Sequence, residues 1–179
     1  MYKKIKTKNT YVNFSKGFSL VEAIFYISLL TVVLVSTVNM LLAVTQSYRS
    51  VKLAQAIERS ASVSFERMTR EIRQAMSIDS VGSTLGSSPG TLVLRLVDQS
   101  GNNHTTTFSV EDGGLILTID GVEHGRVTSS NVSVLNLVFN RIYTGISEAV
   151  KIEMTLQSSQ GDLQRSDSFY TTVVLKGSY

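Results

Sequence analysis

The 179-residue chain has no cysteine, no tryptophan and a single proline, Pro89. Without cysteine it has no disulfide bonds, no thiolate metal ligands and no thiol nucleophile, so packing alone has to hold its body together. Neither glycine nor proline occurs from Ser19 to Ile78. A stretch of about 60 residues without these two helix breakers favours one uninterrupted helix.

Charge is scarce in one region of the chain. Between Phe18 and Val44 the only charged residue is Glu22. This apolar run of about 27 residues exceeds the roughly 20 that a helix needs to cross a bilayer. It is also longer than the apolar core of a secretory signal, which has about 7–15 residues. A lone carboxylate inside a membrane-length helix is costly and indicates a functional role.

Positive charge is concentrated at the N-terminus. Of the 17 Lys and Arg, five precede Gly17, and the other twelve face 14 Asp and Glu, so the rest of the chain carries a net charge near −2. The five are Lys3, Lys4, Lys6, Lys8 and Lys16. A basic leader (1–17) before an apolar segment (18–44) predicts that the N-terminus stays in the cytoplasm and that the C-terminal body is exported.

Beyond the apolar run the pattern becomes amphipathic. Apolar residues recur at spacings of three and four, which predicts that the helix continues through a segment 45–80 with one apolar face. The members of this stripe are Val44, Tyr48, Val51, Ala54, Ile57, Ala61, Phe65, Met68, Ile72 and Ala75. We expect the stripe to be core that packs on the rest of the chain; the alternative is a groove for a partner.

The remaining segment, 81–179, has the pattern of a β domain. Glycines and Pro89 break the helix, and alternation predicts strands at 92–97, 105–110, 115–119, 122–127, 132–142, 150–156 and 169–175. Asp112-Gly113-Gly114 and Asp120-Gly121 are hairpin turn signals, and short turns join antiparallel strands. The predicted fold class is therefore α+β, with one long N-terminal helix packed on a C-terminal antiparallel β-sheet.

The sequence Lys16-Gly17-Phe18-Ser19-Leu20-Val21-Glu22 strongly resembles the processing site of type IV prepilins and type II secretion pseudopilins. Members of that family have a basic leader, a glycine, an aromatic residue and a glutamate five residues after the cut. The likeness is sharp over about residues 1–45, and the pilin-like order of a long helix and then a small sheet extends it. Two features of many pilins, a mid-helix proline and a C-terminal disulfide loop, are missing. Their absence favours a minor pilin or minor pseudopilin with an uninterrupted helix.

The resemblance implies a role for three residues. Gly17 would be the last leader residue, cut by a prepilin peptidase; Phe18 would become the N-terminus and be N-methylated; Glu22 would be needed for methylation and for register in the assembled filament. It also implies a structural subunit that waits in the cytoplasmic membrane as a single-pass protein and then joins a pilus or pseudopilus at the cell surface or in the periplasm. Its partners would be the peptidase, other pilins or pseudopilins and the assembly platform, in pilus function, protein secretion or DNA uptake.

Two simpler interpretations of Glu22 stay open. The residue is four positions from Phe18, so its carboxylate could pair with the amine of its own chain. It also lies where the first turn of the helix begins, and the helix dipole favours acidic residues there. For the whole chain the alternative is a permanently anchored extracytoplasmic module that binds a surface, a protein or DNA.

No other motif predicts chemistry. No arrangement of Ser, His and Asp and no phosphate loop is recognisable, so we expect no catalytic residues and no cofactor. His104 and His124 have no cysteine or acidic partner at ligand spacing, so no metal site is expected. Arg67, Arg70 and Arg73 are expected to form a solvated face, and the weaker alternative is that Arg70 and Arg73 bind an acidic partner or DNA.

Overall fold

The computed structural model describes residues 17–98, 100–145 and 147–176, so the leader predicted at 1–16 lies outside the described residues. Helix α1 runs from Leu20 to Gln74 without interruption, as the absence of glycine and proline predicts. It ends at Gln74 rather than at residue 80. There the backbone N–H of Met76 donates to the carbonyl of Arg95 (2.9 Å), and the chain enters a short strand instead of another helical turn.

The chain divides between Thr45 and Gln46 into two compact units. In the first unit, every described side chain from Gly17 to Val44 is exposed except that of Ala23, which is half-buried. This segment of α1 is long and apolar enough to cross a membrane, and its most apolar window has no buried residue among the described ones. The apolar segment is therefore compatible with a membrane anchor.

The described residues of the second unit form eight strands, all paired antiparallel, in two sheets. They are β1 (Ser77–Ile78), β2 (Leu92–Val97), β3 (Asn103–Glu111), β4 (Gly114–Ile119), β5 (Val122–Arg126), β6 (Val132–Tyr143), β7 (Glu148–Gln160) and β8 (Leu163–Val174). The first five follow one another in one sheet, and β6-β7-β8 form the other. A single sheet was expected; the two sheets arise because β6 pairs with β7 and not with β5.

Tight turns set the register of the hairpins. Asp112 and Gly113, between β3 and β4, have φ of 48° and 68°, and Asp120 and Gly121, between β4 and β5, have 51° and 79°. Positive φ at both central residues is the geometry that Asp-Gly favours in two-residue hairpins, so both turn predictions are confirmed. The last two strands are longer than the predicted 150–156 and 169–175, because β7 continues to Gln160 and β8 begins at Leu163.

The second half of α1 buries one face against both sheets. Ile57, Met68 and Ile72 are fully buried in a core cluster together with Phe108 of β3 and Phe139 of β6. The predicted stripe is thus core from its middle onward. The first three members of the stripe, Val44, Tyr48 and Val51, are exposed. The buried face of the helix begins only at Leu53.

Polar residues also lie on the buried face of the helix, which the apolar periodicity did not indicate. Ser60 is buried, and its Oγ accepts a hydrogen bond from the backbone N–H of Ser129 (3.1 Å). Glu71 is buried and pairs with Arg67 one helical turn earlier (3.1 Å). These partners reduce the cost of burying the polar groups.

Two surface loops are held by carboxylates. The guanidinium of Arg95 (2.8 Å) and the backbone N–H groups of Val81 and Gly82 donate to Asp79, and they hold the pKa of that carboxyl below its usual value of 3.8. The backbone N–H and side-chain amide of Asn102 lower the pKa of Asp98 in the same way. Both carboxylates therefore favour the folded state only while they are ionised.

Replacing a core residue of α1 tests the packing of the helix on the sheets. Ile57→Ala is expected to lower the free energy of unfolding by about 2–5 kcal/mol, because it leaves a cavity in a fully buried site. Val63→Ala is the matched control on the same helix, since Val63 is 49% exposed, and we expect a change within about 0.5 kcal/mol. Urea unfolding of the detergent-solubilised full chain, followed by β-sheet circular dichroism, measures both. If both substitutions lowered the free energy of unfolding equally, the assignment of Ile57 to the buried face of α1 would be contradicted.

Acid sensitivity tests the Asp79–Arg95 pair. A carboxyl whose folded pKa is lowered contributes stability above its unfolded pKa of about 3.8, and that contribution is lost as the pH falls through the folded pKa. Asp79→Asn is therefore expected to flatten the loss of stability below about pH 4. Unfolding midpoints measured across that pH range check this expectation. The double variant D79N/R95Q should show the same pH dependence as D79N, because Arg95 acts through the Asp79 carboxylate. An unchanged acid slope in D79N would contradict the role assigned to the carboxylate.

Candidate processing and assembly site

Gly17 stands in open space directly before the helix. A Cβ built on it would meet no atom of the described residues within 4 Å, its chain neighbours aside, and its φ lies outside the positive range. Among the described residues, therefore, neither steric crowding nor backbone conformation calls for glycine at this position. A requirement for glycine would have to come from a partner that approaches the backbone closely.

The helix begins directly after Ser19. The carbonyl of Ser19 accepts the first helical hydrogen bond, from the N–H of Ala23 (3.1 Å), and Leu20 is the first helical residue. Glu22 consequently lies in the first turn, where the dipole of the helix favours a carboxylate. The structure thus places Glu22 where the dipole interpretation requires it.

The carboxylate of Glu22 has a partner that the sequence analysis missed. The hydroxyl of Tyr26 donates to Oε1 of Glu22 (3.3 Å), one turn further along the helix. The ring of Tyr26 also packs against that of Phe18, with centroids 5.7 Å apart and planes inclined by 46°. Glu22 and Tyr26 lie one helical turn apart, and Phe18, four residues before Glu22, precedes the helix; we name these three residues the N-terminal cluster. The i,i+4 spacing of a donor and an acceptor was the signal that could have revealed Tyr26.

The cluster is exposed in this structure. Phe18 is 73% and Tyr26 is 54% exposed, and Glu22 is exposed as well. Phe18 follows Gly17, so its nitrogen is a peptide nitrogen and becomes an amine only if the chain is cut there. Two of the residues predicted for processing and assembly, Phe18 and Glu22, are thus linked through their contacts with Tyr26.

Three other hydroxyl groups of the apolar segment are satisfied by their own helix. Ser28, Thr31 and Thr37 each donate to the carbonyl oxygen four residues earlier, at 2.8 Å. This arrangement meets the demand that polar groups in hydrocarbon be satisfied internally. Glu22 is the only charged residue of the segment, and its carboxylate has acceptor positions for a further donor beside Tyr26.

The remaining candidate residues lie in the β body and on the second half of the helix. Arg70 pairs with Glu66 (3.0 Å) and Arg67 with Glu71, so two of the three arginines of the expected solvated face are engaged within the helix. His104 and His124 lie on β3 and β5. Within the described ranges no group of three His, Asp or Glu side chains converges as metal ligands would.

A scan of family models, a search of curated proteins and a search of solved structures each found no match to this chain.

Proposed function

We propose that the chain is a prepilin: a structural subunit of a type IV pilus or pseudopilus, cut before Phe18 and assembled through its N-terminal helix. The observation that carries the proposal is Glu22, the only charged residue of the apolar segment 18–44, which is exposed among the described residues except at the half-buried Ala23. It lies five residues after Gly17 in a sequence that resembles the family's processing site. The order of long helix and antiparallel sheets supports the same proposal.

The uncovered helix fits two successive environments. Before assembly, lipid surrounds the apolar side chains, and the lysines preceding Gly17 keep the N-terminus on the cytoplasmic side. After assembly, the apolar helices of neighbouring subunits replace the lipid. Hydrocarbon surrounds the helix in both states, so the hydrophobic effect favours neither the membrane nor the filament by much. Specific contacts between subunits therefore decide whether the helix moves from lipid into the filament.

Glu22 supplies such a contact. Cutting after Gly17 would create an α-amine on Phe18, and both this amine and the Glu22 carboxylate are unfavourable in hydrocarbon when they stand alone. A neighbouring subunit displaced by one step would place its amine against this carboxylate, so addition of a subunit neutralises two buried charges at once. A slipped register leaves both charges unpaired, which is strongly unfavourable.

The absence of cysteine and of proline in the apolar segment supports a minor pilin or minor pseudopilin. Phe18 is then the residue that is N-methylated, and the prepilin peptidase, other pilins and the assembly platform are the partners. The β body lies outside the cytoplasm and carries the binding specificity of the subunit in pilus function, secretion or DNA uptake.

Cleavage is the first test of this proposal. Coexpression with a prepilin peptidase is expected to yield a chain that begins at Phe18, as measured by intact mass and N-terminal sequencing. Gly17→Val should remain uncut, because a branched side chain blocks close approach of the enzyme to the backbone. We expect the substitution to leave the fold intact, since a Cβ at residue 17 meets no atom of the described residues within 4 Å. A wild-type chain that stays intact, or is cut elsewhere, overturns the proposal.

Assembly is the second test. Glu22→Ala is expected to leave cleavage largely intact and to lower incorporation into sheared filaments at least tenfold, since breaking a buried ion pair costs about 3–5 kcal/mol. Glu58→Ala, at an exposed position of the same helix, is the matched control and should assemble like wild type. Wild-type incorporation of E22A would refute the register role. A wild-type chain that shearing never releases from the membrane would instead indicate a permanently anchored binding module.

A further inference from the structure

We propose that Tyr26 is the positioning residue of Glu22: its hydroxyl fixes one oxygen of the carboxylate and leaves the other open to the amine of a neighbouring subunit. This inference rests on the proposed function of Glu22. It assigns a role to a residue that lies outside the processing motif and that the sequence pattern did not single out.

The contact between Tyr26 and Glu22 is the first consideration. Helical side chains lean toward the N-terminus of the helix, so Tyr26 leans back over the turn that carries Glu22, and its hydroxyl donates to Oε1 (3.3 Å). A carboxylate oxygen that is held by a donor has fewer orientations to choose from, so the bond restricts the Glu22 side chain before a second subunit arrives.

The capacity of the carboxylate is the second consideration. An ionised carboxylate has two oxygens and about four acceptor positions, and Tyr26 occupies one of them on Oε1. Oε2 and the remaining positions can still accept from an ammonium group, which has no acceptor of its own. Tyr26 and an incoming amine can thus bind the same carboxylate together, so the tyrosine restricts its direction without displacing the partner.

The third consideration is how Tyr26 itself is held. Its ring packs on that of Phe18 at 5.7 Å, which limits the rotation of both rings beside the carboxylate. A tyrosine hydroxyl without a partner is unfavourable in hydrocarbon, and unlike Ser28 or Thr31 it is too far from the backbone of its own helix to be satisfied there. Glu22 is the acceptor that the structure gives it, so the two polar groups satisfy each other before assembly.

Assembly of paired variants separates positioning from simple packing. Tyr26→Phe keeps the ring and removes only the hydroxyl; we expect cleavage before Phe18 to be unchanged and incorporation into sheared filaments to fall about three- to tenfold, the range of one lost hydrogen bond. In an E22A background, Y26F should cause no further loss, because its effect passes through the carboxylate. Tyr48→Phe, at an exposed tyrosine of the same helix, is the matched control. Equal losses in both backgrounds, or no loss in either, overturn the inference.

A spectroscopic measurement tests the contact without relying on filaments. In the full chain in detergent micelles, carboxyl carbon-13 labelling of glutamate gives one resonance for Glu22, identified by its absence in Glu22→Gln. Y26F is expected to shift that resonance and Y48F to leave it in place. A Glu22 signal that is unmoved in Y26F overturns the inference. A moved signal in a chain that a prepilin peptidase does not cut would instead mean that the contact exists and the proposed function is wrong.

Discussion

The structure depends on one constraint: a single uninterrupted helix has to satisfy two different surroundings along its length. Backbone hydrogen bonds continue from Leu20 to Gln74, while the side chains change from uniformly apolar to amphipathic near Thr45. In the N-terminal half the backbone is satisfied internally and the apolar side chains are exposed, which is compatible with a membrane anchor. In the C-terminal half the helix buries one face against two sheets, and burial of Ile57, Met68 and Ile72 holds the body to the helix by the hydrophobic effect.

The same constraint explains why polar residues are placed as they are. In the apolar segment, Ser28, Thr31 and Thr37 return their hydroxyls to the helix. On the buried face, Ser60 binds the backbone of the β body. Glu22 differs from these residues because, within the part of the chain that the structure describes, a single hydroxyl donates to its charge. A group that the chain itself does not fully satisfy is where a partner contributes free energy, and this is why the proposed assembly contact falls there.

Sequence reasoning was strongest where one local rule decides the outcome. The helix follows from the absence of breakers, and the turns at Asp112-Gly113 and Asp120-Gly121 follow from the need for positive φ. It was weaker where the outcome depends on which segments meet. Alternation shows which face of a strand is buried but not which strand lies beside it, so β6 to β8 were not expected to separate from the first five strands. The apolar stripe likewise gave no means to tell that Val51 is exposed and that Leu53 begins the buried face.

The N-terminal cluster shows the same limit on a smaller scale. Gly17, Phe18 and Glu22 were found because they match a linear motif, whereas Tyr26 belongs to no motif and looks like one more aromatic residue in an apolar run. Only its position one helical turn beyond a carboxylate distinguishes it, and that position has meaning only once the helix is known to begin at Leu20 and to include both residues. A membrane helix that carries one charge should therefore be searched one turn in each direction for a donor. The oxygen that such a donor engages shows which part of the carboxylate is left for a partner, here Oε2 of Glu22.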